Sequence, residues 1–432
     1  MKAVIQAGGK GTRINSVTGD KIPKPMIEID NKPLLYYQIM NLKKYNIKDI
    51  IIIVGHLGYV ISDYFKDGKE LGVNISYVFE DPDNPLGTAG SLYYLKDKIN
   101  GDYIFLLADI FIDVNFRKMI KFHKEHKGLI TLFTHPGSHP YDSDLVVVDK
   151  DNKVLSFDYK TNDRSGYDYH NLVNAGIMIF AKETLDYIKE LKKYNYEKDI
   201  VVPLIEKGLV YSYKSSEYSK DVGTPERYEA ALIDYKSGII KKKNLSRKQK
   251  AIFLDRDGTI NKLVGYLTNK DDFELIDGVI DAIRKINRSE YLCIVITNQP
   301  IIARGDSTVD NLEEIHKRME TILGREGVFI HELYYCPHHP DKGFPGEVPE
   351  LKIDCECRKP KIGMLTEASK DFNIDLSKSF VIGDSTSDIM MAKNAGCKSI
   401  LLNTGEAGND CKFDVKSDMI ANDLLDAINM II

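Results

Sequence analysis

A glycine-rich loop carrying two cations follows a short apolar stretch at the start of the chain, Ala3-Val4-Ile5. The loop reads Gln6-Ala7-Gly8-Gly9-Lys10-Gly11-Thr12-Arg13. Glycines allow the backbone to approach an anion closely, and backbone amides can surround a polyphosphate together with Lys10 and Arg13. The loop therefore predicts a nucleotide-binding site. Its spacing matches neither the dinucleotide fingerprint nor a P-loop, so neither of those mechanisms carries over.

A second reactive loop follows the apolar stretch Ala251-Ile252-Phe253-Leu254 and reads Asp255-Arg256-Asp257-Gly258-Thr259. A carboxylate can attack a phosphoryl group if magnesium screens the repulsion between the two anions, and a second acid can then protonate the leaving oxygen. The pair of aspartates therefore indicates a second phosphoryl-transfer site.

Cysteine and histidine cluster in the second half of the chain. All six cysteines lie there, and three of them form the pattern Cys336-Pro337-His338-His339 followed by Cys355-Glu356-Cys357. Three thiolates and an imidazole are the ligand set of a closed structural zinc site. We therefore predict one structural Zn²⁺; free buried cysteines are the alternative.

Length, charge and hydrophobicity limit the classes of protein to which this chain can belong. A chain of 432 residues is long enough for two or three domains. The net charge of -5 argues against a nucleic-acid-binding surface. The N-terminus lacks a signal-peptide core and no apolar run approaches a membrane span, so a cytoplasmic location without membrane attachment is expected. A monomer and a homo-oligomer both stay open.

Apolar stretches alternate with amphipathic ones, which predicts an α/β protein. Amphipathic helices are expected at 34–45, 115–126 and 225–235. Strands are expected at 49–54, 75–80, 103–109, 129–134, 145–149, 175–180, 291–297, 332–336, 380–383 and 399–402. The basic stretch 239–250 resembles a solvated linker between two domains.

Together with Lys24-Pro25-Met26, the glycine-rich loop resembles the signature of sugar-1-phosphate nucleotidylyltransferases, and the resemblance extends to about residue 235. It implies a Rossmann-like mixed sheet in a domain spanning 1–238. By this resemblance Asp109 and Asp221 hold Mg²⁺, Arg13 neutralises the leaving pyrophosphate, and Lys24 bridges the phosphates of nucleotide and sugar.

The same resemblance assigns residues that contact the nucleotide and the sugar. The base loop is Leu86-Gly87-Thr88-Ala89-Gly90-Ser91, in a form common among guanylyltransferases of the mannose-1-phosphate type. Sugar contacts are expected from Lys160, Asn174 and Glu197. Nucleotide contacts are expected from Gln6, Ala7, Gly8, Gly9, Gly11, Thr12, Gly87, Thr88, Ala89 and Gly90. Two residues depart from the family pattern, Tyr159 and Ala108, and they indicate a sugar other than mannose.

The second half resembles the haloacid dehalogenase (HAD) superfamily over a domain spanning 251–432. The resemblance makes Asp255 the nucleophile and Asp257 the acid/base. Both are also expected to bind Mg²⁺ together with Asp384, while Asp388 orients this group. Thr297 supplies the motif-two hydroxyl and Lys359 holds the phosphate. The short intervals between motifs leave no room for a cap domain.

The cysteine loop precedes Cys357-Arg358-Lys359-Pro360 and looks like that of heptose bisphosphate 7-phosphatases and histidinol-phosphate phosphatases. By this resemblance the zinc ligands are Cys336, His338, Cys355 and Cys357, with His339 as a lesser candidate. Arg358 and Asn298 are expected to contact substrate, because a planar guanidinium suits phosphate recognition.

The two resemblances together imply a bifunctional enzyme acting on nucleoside triphosphates and sugar phosphates. It would remove the 7-phosphate of D-glycero-D-manno-heptose 1,7-bisphosphate and transfer a guanylyl group from GTP to heptose 1-phosphate. A second hypothesis joins a mannose-1-phosphate-type guanylyltransferase to a phosphatase for another sugar phosphate or histidinol phosphate. A third is a regulatory binding protein with decayed sites, which the intact aspartate sets oppose.

Overall fold

The computed structural model describes residues 1–9, 12–19 and 21–432. The chain divides into two compact units, and both are α/β, as predicted. Unit 1 comprises Met1–His135, Val146–Asp158 and Asn174–Asn244; unit 2 comprises Pro136–Leu145, Tyr159–Val173 and Leu245–Ile432. In the described part of the chain no helix has the length and apolar character needed to cross a bilayer.

The described residues up to Asn244 form thirteen strands and seven α-helices. The strands are β1 (Lys2–Ala7), β2 (Glu28–Ile29), β3 (Lys32–Pro33), β4 (Asp49–Val54), β5 (Asn74–Phe79), β6 (Tyr103–Leu107), β7 (Ile110–Asp113), β8 (Ile130–His135), β9 (Leu145–Val148), β10 (Val154–Asp158), β11 (Val173–Phe180), β12 (Val210–Lys214) and β13 (Tyr218–Asp221). The α-helices are α1 (Asn15–Thr18), α2 (Leu34–Lys44), α3 (Gly58–Phe65), α4 (Phe116–His126), α5 (Val202–Ile205), α6 (Pro225–Ser237) and α7 (Ile239–Lys242). Short 3-10 or π turns cover Thr12–Ile14, Lys24–Met26, Lys69–Leu71, Gly90–Leu95, Pro140–Asp142, Lys182–Tyr187 and Glu197–Val201.

A mixed sheet of nine strands forms the centre of unit 1. Its main path runs β10-β9-β11-β6-β1-β4-β5. Off this path, β8 pairs with β11, and β12 pairs with β8. Strand β1 lies parallel to both β4 and β6, whereas β11 runs antiparallel to β6. Strand β1 is central in the sheet, and its apolar side chains are buried. Because the glycine-rich loop follows β1, it lies at the carboxyl edge of the parallel strands, where ligands bind in sheets of this kind.

The strand expected at 103–109 ends two residues earlier than predicted. Strand β6 ends at Leu107, and β7 leaves the main sheet to form an antiparallel two-stranded ribbon with β13. Asp109 lies at the break, where its carbonyl accepts a hydrogen bond from the Val222 amide (3.0 Å). The pairing of β7 with β13 brings Asp109 and Asp221 close together, although they are far apart in sequence.

The chain from Leu245 onward forms six strands and six α-helices. The strands are β14 (Lys250–Leu254), β15 (Tyr291–Asn298), β16 (Glu332–Cys336), β17 (Phe380–Gly383), β18 (Lys398–Leu402) and β19 (Met419–Ala421). The α-helices are α8 (Val279–Asn287), α9 (Ile301–Arg304), α10 (Val309–Arg325), α11 (Gly363–Phe372), α12 (Thr386–Ala395) and α13 (Leu424–Ile431). Short 3-10 turns cover Lys270–Asp272, Pro349–Leu351 and Leu376–Lys378.

These six strands form a parallel sheet in the order β16-β15-β14-β17-β18-β19. Parallel sheets are covered on both faces, which explains why their strands are continuous apolar runs rather than alternating ones. Strand β14 lies between β15 and β17, so the residues that follow these three strands meet at one edge.

The predicted linker is partly structured. Residues Ile239–Lys242 form α7, and Ile240, Asn244 and Leu245 are buried. The domain boundaries at 238 and 251 stay predictions, and the division into compact units changes at Asn244.

Candidate active sites

Lys24 joins the two aspartates expected to hold metal in unit 1. Its Nζ lies 2.7 Å from Asp109 Oδ2 and 3.5 Å from Asp221 Oδ1. Asp221 is the last residue of β13 and pairs with Ile110 of β7 in the ribbon. Its carboxylate also accepts a hydrogen bond from the Arg227 guanidinium. The two carboxylates thus face one shared cation position, and about a third of each is exposed. Carboxylates open to a phosphate ligand are a donor set that fits Mg²⁺.

The glycine-rich loop packs closely against neighbouring strands. A Cβ on Gly8 would lie 2.6 Å from Glu80 Oε2, and Glu80 also accepts from the Ser91 hydroxyl. Gln6 donates to the carbonyl of Gly87 (3.4 Å), while its Oε1 is buried without a partner among the described residues. The structure therefore brings the start of this loop together with the base loop.

Only part of the glycine-rich loop lies among the described residues. Arg13 is exposed in the turn Thr12–Ile14. Lys10, Gly11 and the Thr12 side chain lie outside the described part of the chain. The phosphate-binding roles of these residues stay predictions.

Close packing against the backbone requires glycine at two positions of the base loop. Gly87 has φ +76°, and a Cβ there would lie 2.4 Å from the carbonyl oxygen of Tyr194. A Cβ on Gly90 would lie 2.2 Å from the carbonyl oxygen of Lys192. Thr88 Oγ1 accepts from the Tyr196 amide (3.0 Å). The small residues are thus required by the packing of 192–196, whether or not they also contact a base.

The three predicted sugar contacts are not gathered in one unit. Asn174 lies in β11, where its Oδ1 accepts from the Gly176 amide (3.1 Å), and Glu197 begins the turn Glu197–Val201; both belong to unit 1. Lys160 belongs to unit 2, where its amide donates to Asp144 Oδ1 (2.9 Å). Their joint role in sugar binding stays a prediction.

A second cluster of charges lies at the carboxyl edge of the parallel sheet in unit 2. Asp255 follows β14, and its amide donates to the Ile382 carbonyl (3.0 Å). Lys359 Nζ lies 2.8 Å from Asp255 Oδ1 and 2.7 Å from Asp388 Oδ1. Ligand oxygens of Asp255, Asp384 and Asp388 all lie within 4.8 Å of one another, and all three residues are buried. Three carboxylates and one ammonium leave a negative charge that suits a divalent cation.

Burial governs the protonation of this cluster. It raises the pKa of Asp255 to about 7, with Lys359 opposing the increase and the Asp388 carboxylate adding to it. Burial, together with the carboxylates of Asp255 and Asp388, raises the pKa of Asp384 to about 8. A cation bound here would favour the ionised form of both groups, which is the form that binds magnesium.

Two glycines make room for Asp384. Gly258 has φ +82°, and a Cβ there would lie 2.2 Å from Asp384 Oδ2; a Cβ on Gly405, with φ +55°, would lie 2.0 Å from the same atom. The Glu406 amide donates to that oxygen (2.7 Å). Any larger residue at either glycine would displace the carboxylate.

Asp257 lies outside the carboxylate cluster. Its oxygens accept from Arg256 (2.8 Å), Asn261 (3.0 Å) and Gln299 (2.9 Å). Burial raises the pKa of Asp257, but the Arg256 guanidinium and the hydrogen bonds outweigh it and lower the pKa overall. The structure therefore places Asp388, rather than the Asp257 side chain, beside Asp255 and Asp384. Binding of magnesium by Asp257 stays a prediction.

Motif residues on neighbouring strands are tied to this cluster by hydrogen bonds. Thr297 is buried and its hydroxyl accepts from Gln299 Nε2 (2.9 Å). Asn298 Oδ1 accepts from the Lys359 amide (3.0 Å), and Asn298 Nδ2 donates to the Lys359 carbonyl (3.3 Å). Arg358 donates to the His338 carbonyl (3.1 Å), which joins the cysteine loop to the same edge.

The four predicted zinc ligands converge in unit 2. Cys336 Sγ lies 3.4 Å from Cys355 Sγ, Cys357 Sγ lies 3.3 Å from Cys355 Sγ, and His338 Nδ1 lies 3.3 Å from Cys357 Sγ. Bonds of about 2.3 Å from a tetrahedral zinc to sulfur require ligand separations of nearly this size. His339 is not part of the group and instead accepts from the Asp341 amide (3.2 Å).

Residues 2–238 match the Nucleotidyl transferase family, and residues 356–427 match the HAD-hydrolase-like family. The chain belongs to the nucleotidyl transferase family. It is also 39% identical over 182 residues to a D-glycero-beta-D-manno-heptose-1,7-bisphosphate 7-phosphatase of Haemophilus ducreyi, covering 42% of this chain and 97% of that protein. The chain therefore also belongs to the family of that phosphatase.

Two solved structures resemble the two parts of the chain. A D,D-heptose 1,7-bisphosphate phosphatase from B. bronchiseptica, complexed with magnesium and phosphate, is 28% identical, with 42% of this chain and 98% of that chain covered and a TM-score of 0.38. HddC from Yersinia pseudotuberculosis is 24% identical, with 54% of this chain and 99% of that chain covered and a TM-score of 0.47.

Three residues that the sequence patterns did not single out contact the predicted site residues. Arg256 is fully buried and forms the ion pair with Asp257, and Gln299 links Asp257 to Thr297. The sequence offered one signal for Arg256: it is a charged residue between two aspartates, directly after an apolar stretch. Glu80, which contacts the glycine-rich loop in the nucleotidyl transferase part, carried no signal because it is distant in sequence.

Removal of one thiolate tests the zinc set. We expect the full-length protein to bind about one zinc per chain and Cys355→Ser to bind almost none, because three remaining ligands hold a structural zinc weakly. Elemental analysis of the purified proteins measures this directly. Cys411→Ser is the matched control, since Cys411 is exposed and lies outside the cluster. Full zinc occupancy in Cys355→Ser would reject the ligand set.

Proposed function

We propose that this chain is a bifunctional enzyme of nucleotide-activated heptose synthesis. Its phosphatase part removes the 7-phosphate of D-glycero-D-manno-heptose 1,7-bisphosphate, and its nucleotidyl transferase part transfers a guanylyl group from GTP to the resulting heptose 1-phosphate. The observation that carries the proposal is the complete Asp255, Lys359 and Asp384 set in a chain that aligns with nearly the whole length of a heptose bisphosphate 7-phosphatase.

The phosphatase reaction begins with in-line attack. One oxygen of Asp255 attacks the 7-phosphorus, an aspartyl phosphate forms, and the bond between phosphorus and the sugar oxygen breaks while Asp257 donates a proton to that oxygen. Water then attacks the phosphorus of the intermediate, Asp257 takes its proton, and inorganic phosphate leaves. Lys359 offsets the phosphate charge throughout. Mg²⁺, held by Asp255 and Asp384, would reduce the repulsion between nucleophile and substrate.

The contacts of Asp257 suit its role as the base in the second step. Arg256, Asn261 and Gln299 stabilise the carboxylate form, which is the form that accepts a proton from water in the second step. In the first step the negative charge of the bound phosphate opposes ionisation of the nearby Asp257 carboxyl group and so favours the protonated acid. One carboxyl group can thus serve both steps.

In the nucleotidyl transferase part, a phosphate oxygen of the sugar 1-phosphate attacks the α-phosphorus of the nucleotide and pyrophosphate leaves. Negative charge grows during this step, and Lys24 lies where it can offset that charge, between Asp109 and Asp221. Mg²⁺ bound by these two aspartates would supply the remaining positive charge. The choice of guanine rests on the resemblance of the loop 86–91 to that of guanylyltransferases.

The zinc is proposed as a structural ion. Its four ligands close the coordination sphere, so no position is left for substrate. It would fix the loop that carries Arg358 beside Asn298 and Lys359.

A one-pot assay tests the whole proposal. Purified protein is given heptose 1,7-bisphosphate, magnesium and each of GTP, ATP, CTP and UTP in turn, and products are identified by mass. We expect GDP-heptose with GTP alone. Phosphate release without any nucleotide sugar would overturn the transferase half, and faster turnover of mannose 1-phosphate than of heptose 1-phosphate would overturn the choice of sugar.

A further inference from the structure

Three loops of unit 2 follow neighbouring strands of the parallel sheet, at the edge that carries the carboxylate cluster. The first, residues 262–269, begins after Asn261, whose Nδ2 donates to Asp257 Oδ1 (3.0 Å). The second leads into α9 from Gln299, whose Nε2 donates to Asp257 Oδ2 (2.9 Å). The third, residues 337–352, follows β16. Because β14, β15 and β16 are neighbours in the sheet, the three loops begin close together beside the catalytic groups.

Arg304, the last residue of α9, contacts both of the other loops. Its guanidinium carbon lies 4.4 Å from the ring centroid of Tyr266 in the first loop and 4.4 Å from that of Phe344 in the third. Arg304 Nη1 also donates to the Tyr266 hydroxyl (2.8 Å), and Arg304 Nε lies 2.9 Å from Asp306 Oδ2. Lys352 Nζ approaches the Phe344 ring as well, 4.3 Å from its centroid. We call Tyr266, Arg304, Phe344 and Lys352 the cation–aromatic cluster.

The contact between Lys352 and Phe344 is shielded from water. The Lys352 side chain is 0% exposed, and its Nζ lies 3.5 Å from Glu347 Oε2. The same carboxylate oxygen accepts from the amides of Gly343 (2.8 Å) and Phe344 (3.0 Å). Attraction between a cation and an aromatic face is stronger where water is excluded. Phe344 is therefore held through its backbone by Glu347 and through its ring by two cations.

Backbone contacts bring loop 337–352 against α9. The Ala303 amide donates to the Pro337 carbonyl (3.2 Å), and the Val348 amide donates to the Ala303 carbonyl (3.0 Å). Gly305 has φ +78°, and a Cβ there would lie 2.0 Å from the Gly346 carbonyl oxygen. The loop therefore contacts the end of α9 both before and after Phe344.

The predicted zinc set lies at the ends of this loop rather than at its middle. His338 is near its start, and Cys355 follows its end. A metal there would fix the ends, whereas the cation–aromatic cluster fixes the part around Phe344. Because the intervals between the motifs leave no room for a cap domain, loops at this edge have to contact the part of the substrate beyond the reacting phosphate.

We propose that Arg304 is a positioning residue of the phosphatase, which holds loop 337–352 against loop 262–269 and thereby sets the affinity for the sugar bisphosphate. Arg304 acts through Tyr266 and Phe344 and takes no part in phosphoryl transfer. The identity of the substrate rests on the proposed function, whereas the attachment of the loop does not. The inference explains why an arginine that is only 21% exposed lies over two aromatic rings.

Arg304→Leu and Phe344→Leu in the full-length protein remove the cation and the ring while keeping apolar volume. We expect each to raise the KM for heptose 1,7-bisphosphate about fivefold to tenfold, with kcat changed less than about twofold. Hydrolysis of p-nitrophenyl phosphate, which has neither a sugar nor a second phosphate, should change less than about twofold, because the catalytic aspartates are untouched. Phe344→Tyr keeps the ring and is expected to recover most of the affinity.

Hydrogen exchange and zinc content separate positioning from damage to the fold. Exchange at the Val348 amide should be faster in both leucine variants and close to normal in Phe344→Tyr, while zinc content should equal that of the unmodified protein. Arg288→Leu is the matched control, because Arg288 is exposed directly after α8. It should leave exchange at Val348 and both phosphatase substrates unaffected.

Faster exchange at Val348 with an unchanged KM for the bisphosphate would overturn the positioning role, and unchanged exchange would overturn the attachment of the loop by Arg304. An equal loss with both substrates would also overturn positioning and assign Arg304 to general stability. If the unmodified protein hydrolyses p-nitrophenyl phosphate but not heptose 1,7-bisphosphate, the proposed substrate fails, and exchange at Val348 still decides the attachment.

Discussion

Asp255→Asn is expected to abolish phosphatase activity, with a loss of about four orders of magnitude or more in kcat, because an amide cannot form the aspartyl phosphate. Asp255 contacts Lys359 within the carboxylate cluster. Nucleotidyl transfer should keep its normal rate. Phosphate release from heptose 1,7-bisphosphate and pyrophosphate release in nucleotidyl transfer measure the two activities separately.

Asp272→Asn makes the same chemical change at an exposed position and should leave both activities intact. Trapping adds a second readout: rapid quenching should show phosphate attached to the unmodified protein and none attached to Asp255→Asn. Substantial phosphate release by the variant would assign the nucleophile to another residue. Loss of both activities would contradict independent catalytic groups.

Asp109→Asn is expected to have the reverse effect. It should lower the rate of nucleotidyl transfer by about two to three orders of magnitude, because it removes a charged metal ligand and one of the two carboxylates that orient Lys24. Phosphatase activity should be unchanged. Pyrophosphate release at saturating magnesium measures the effect, and a titration with magnesium should show a higher concentration requirement in the variant.

Asp97→Asn is a suitable control, because Asp97 is exposed and lies in the same part of the chain. A transferase rate near that of the unmodified protein in Asp109→Asn would remove Asp109 from the metal site. A large loss with an unchanged magnesium requirement would instead assign Asp109 to the orientation of Lys24 alone.

Regular elements with strong local patterns could be predicted from the sequence. The strands expected at 49–54, 332–336 and 380–383 have the predicted bounds, and the helix expected at 34–45 differs by one residue. Apolar runs and amphipathic repeats depend on neighbours in the chain, so they are visible without a structure. Strands β7, β12 and β13 were not predicted, because short strands at sheet edges or in ribbons are defined by partners far away in sequence.

The chemistry of both sites was likewise evident from residue types and spacing. Glycines with cations, paired aspartates and the Cys/His pattern each follow a strand or loop signal. The families of both parts agree with the predicted nucleotidyltransferase and phosphatase activities, whereas the individual residue roles and the zinc stay predictions. Local sequence determines which groups are present. It does not determine which of them are neighbours.

Only the tertiary structure decided those neighbours. The ribbon of β7 and β13 places Asp109 beside Asp221, more than a hundred residues later, and Lys24 comes from a third segment. Asp388 lies in the carboxylate cluster of unit 2, whereas Asp257 pairs with Arg256 and is not part of that cluster. Residues Tyr159–Val173 belong to unit 2 by their contacts, although their sequence lies in the range that matches the nucleotidyl transferase family. Contacts of this kind depend on long-range packing and on the pairing of buried charges, and neither leaves a periodic signal in the chain.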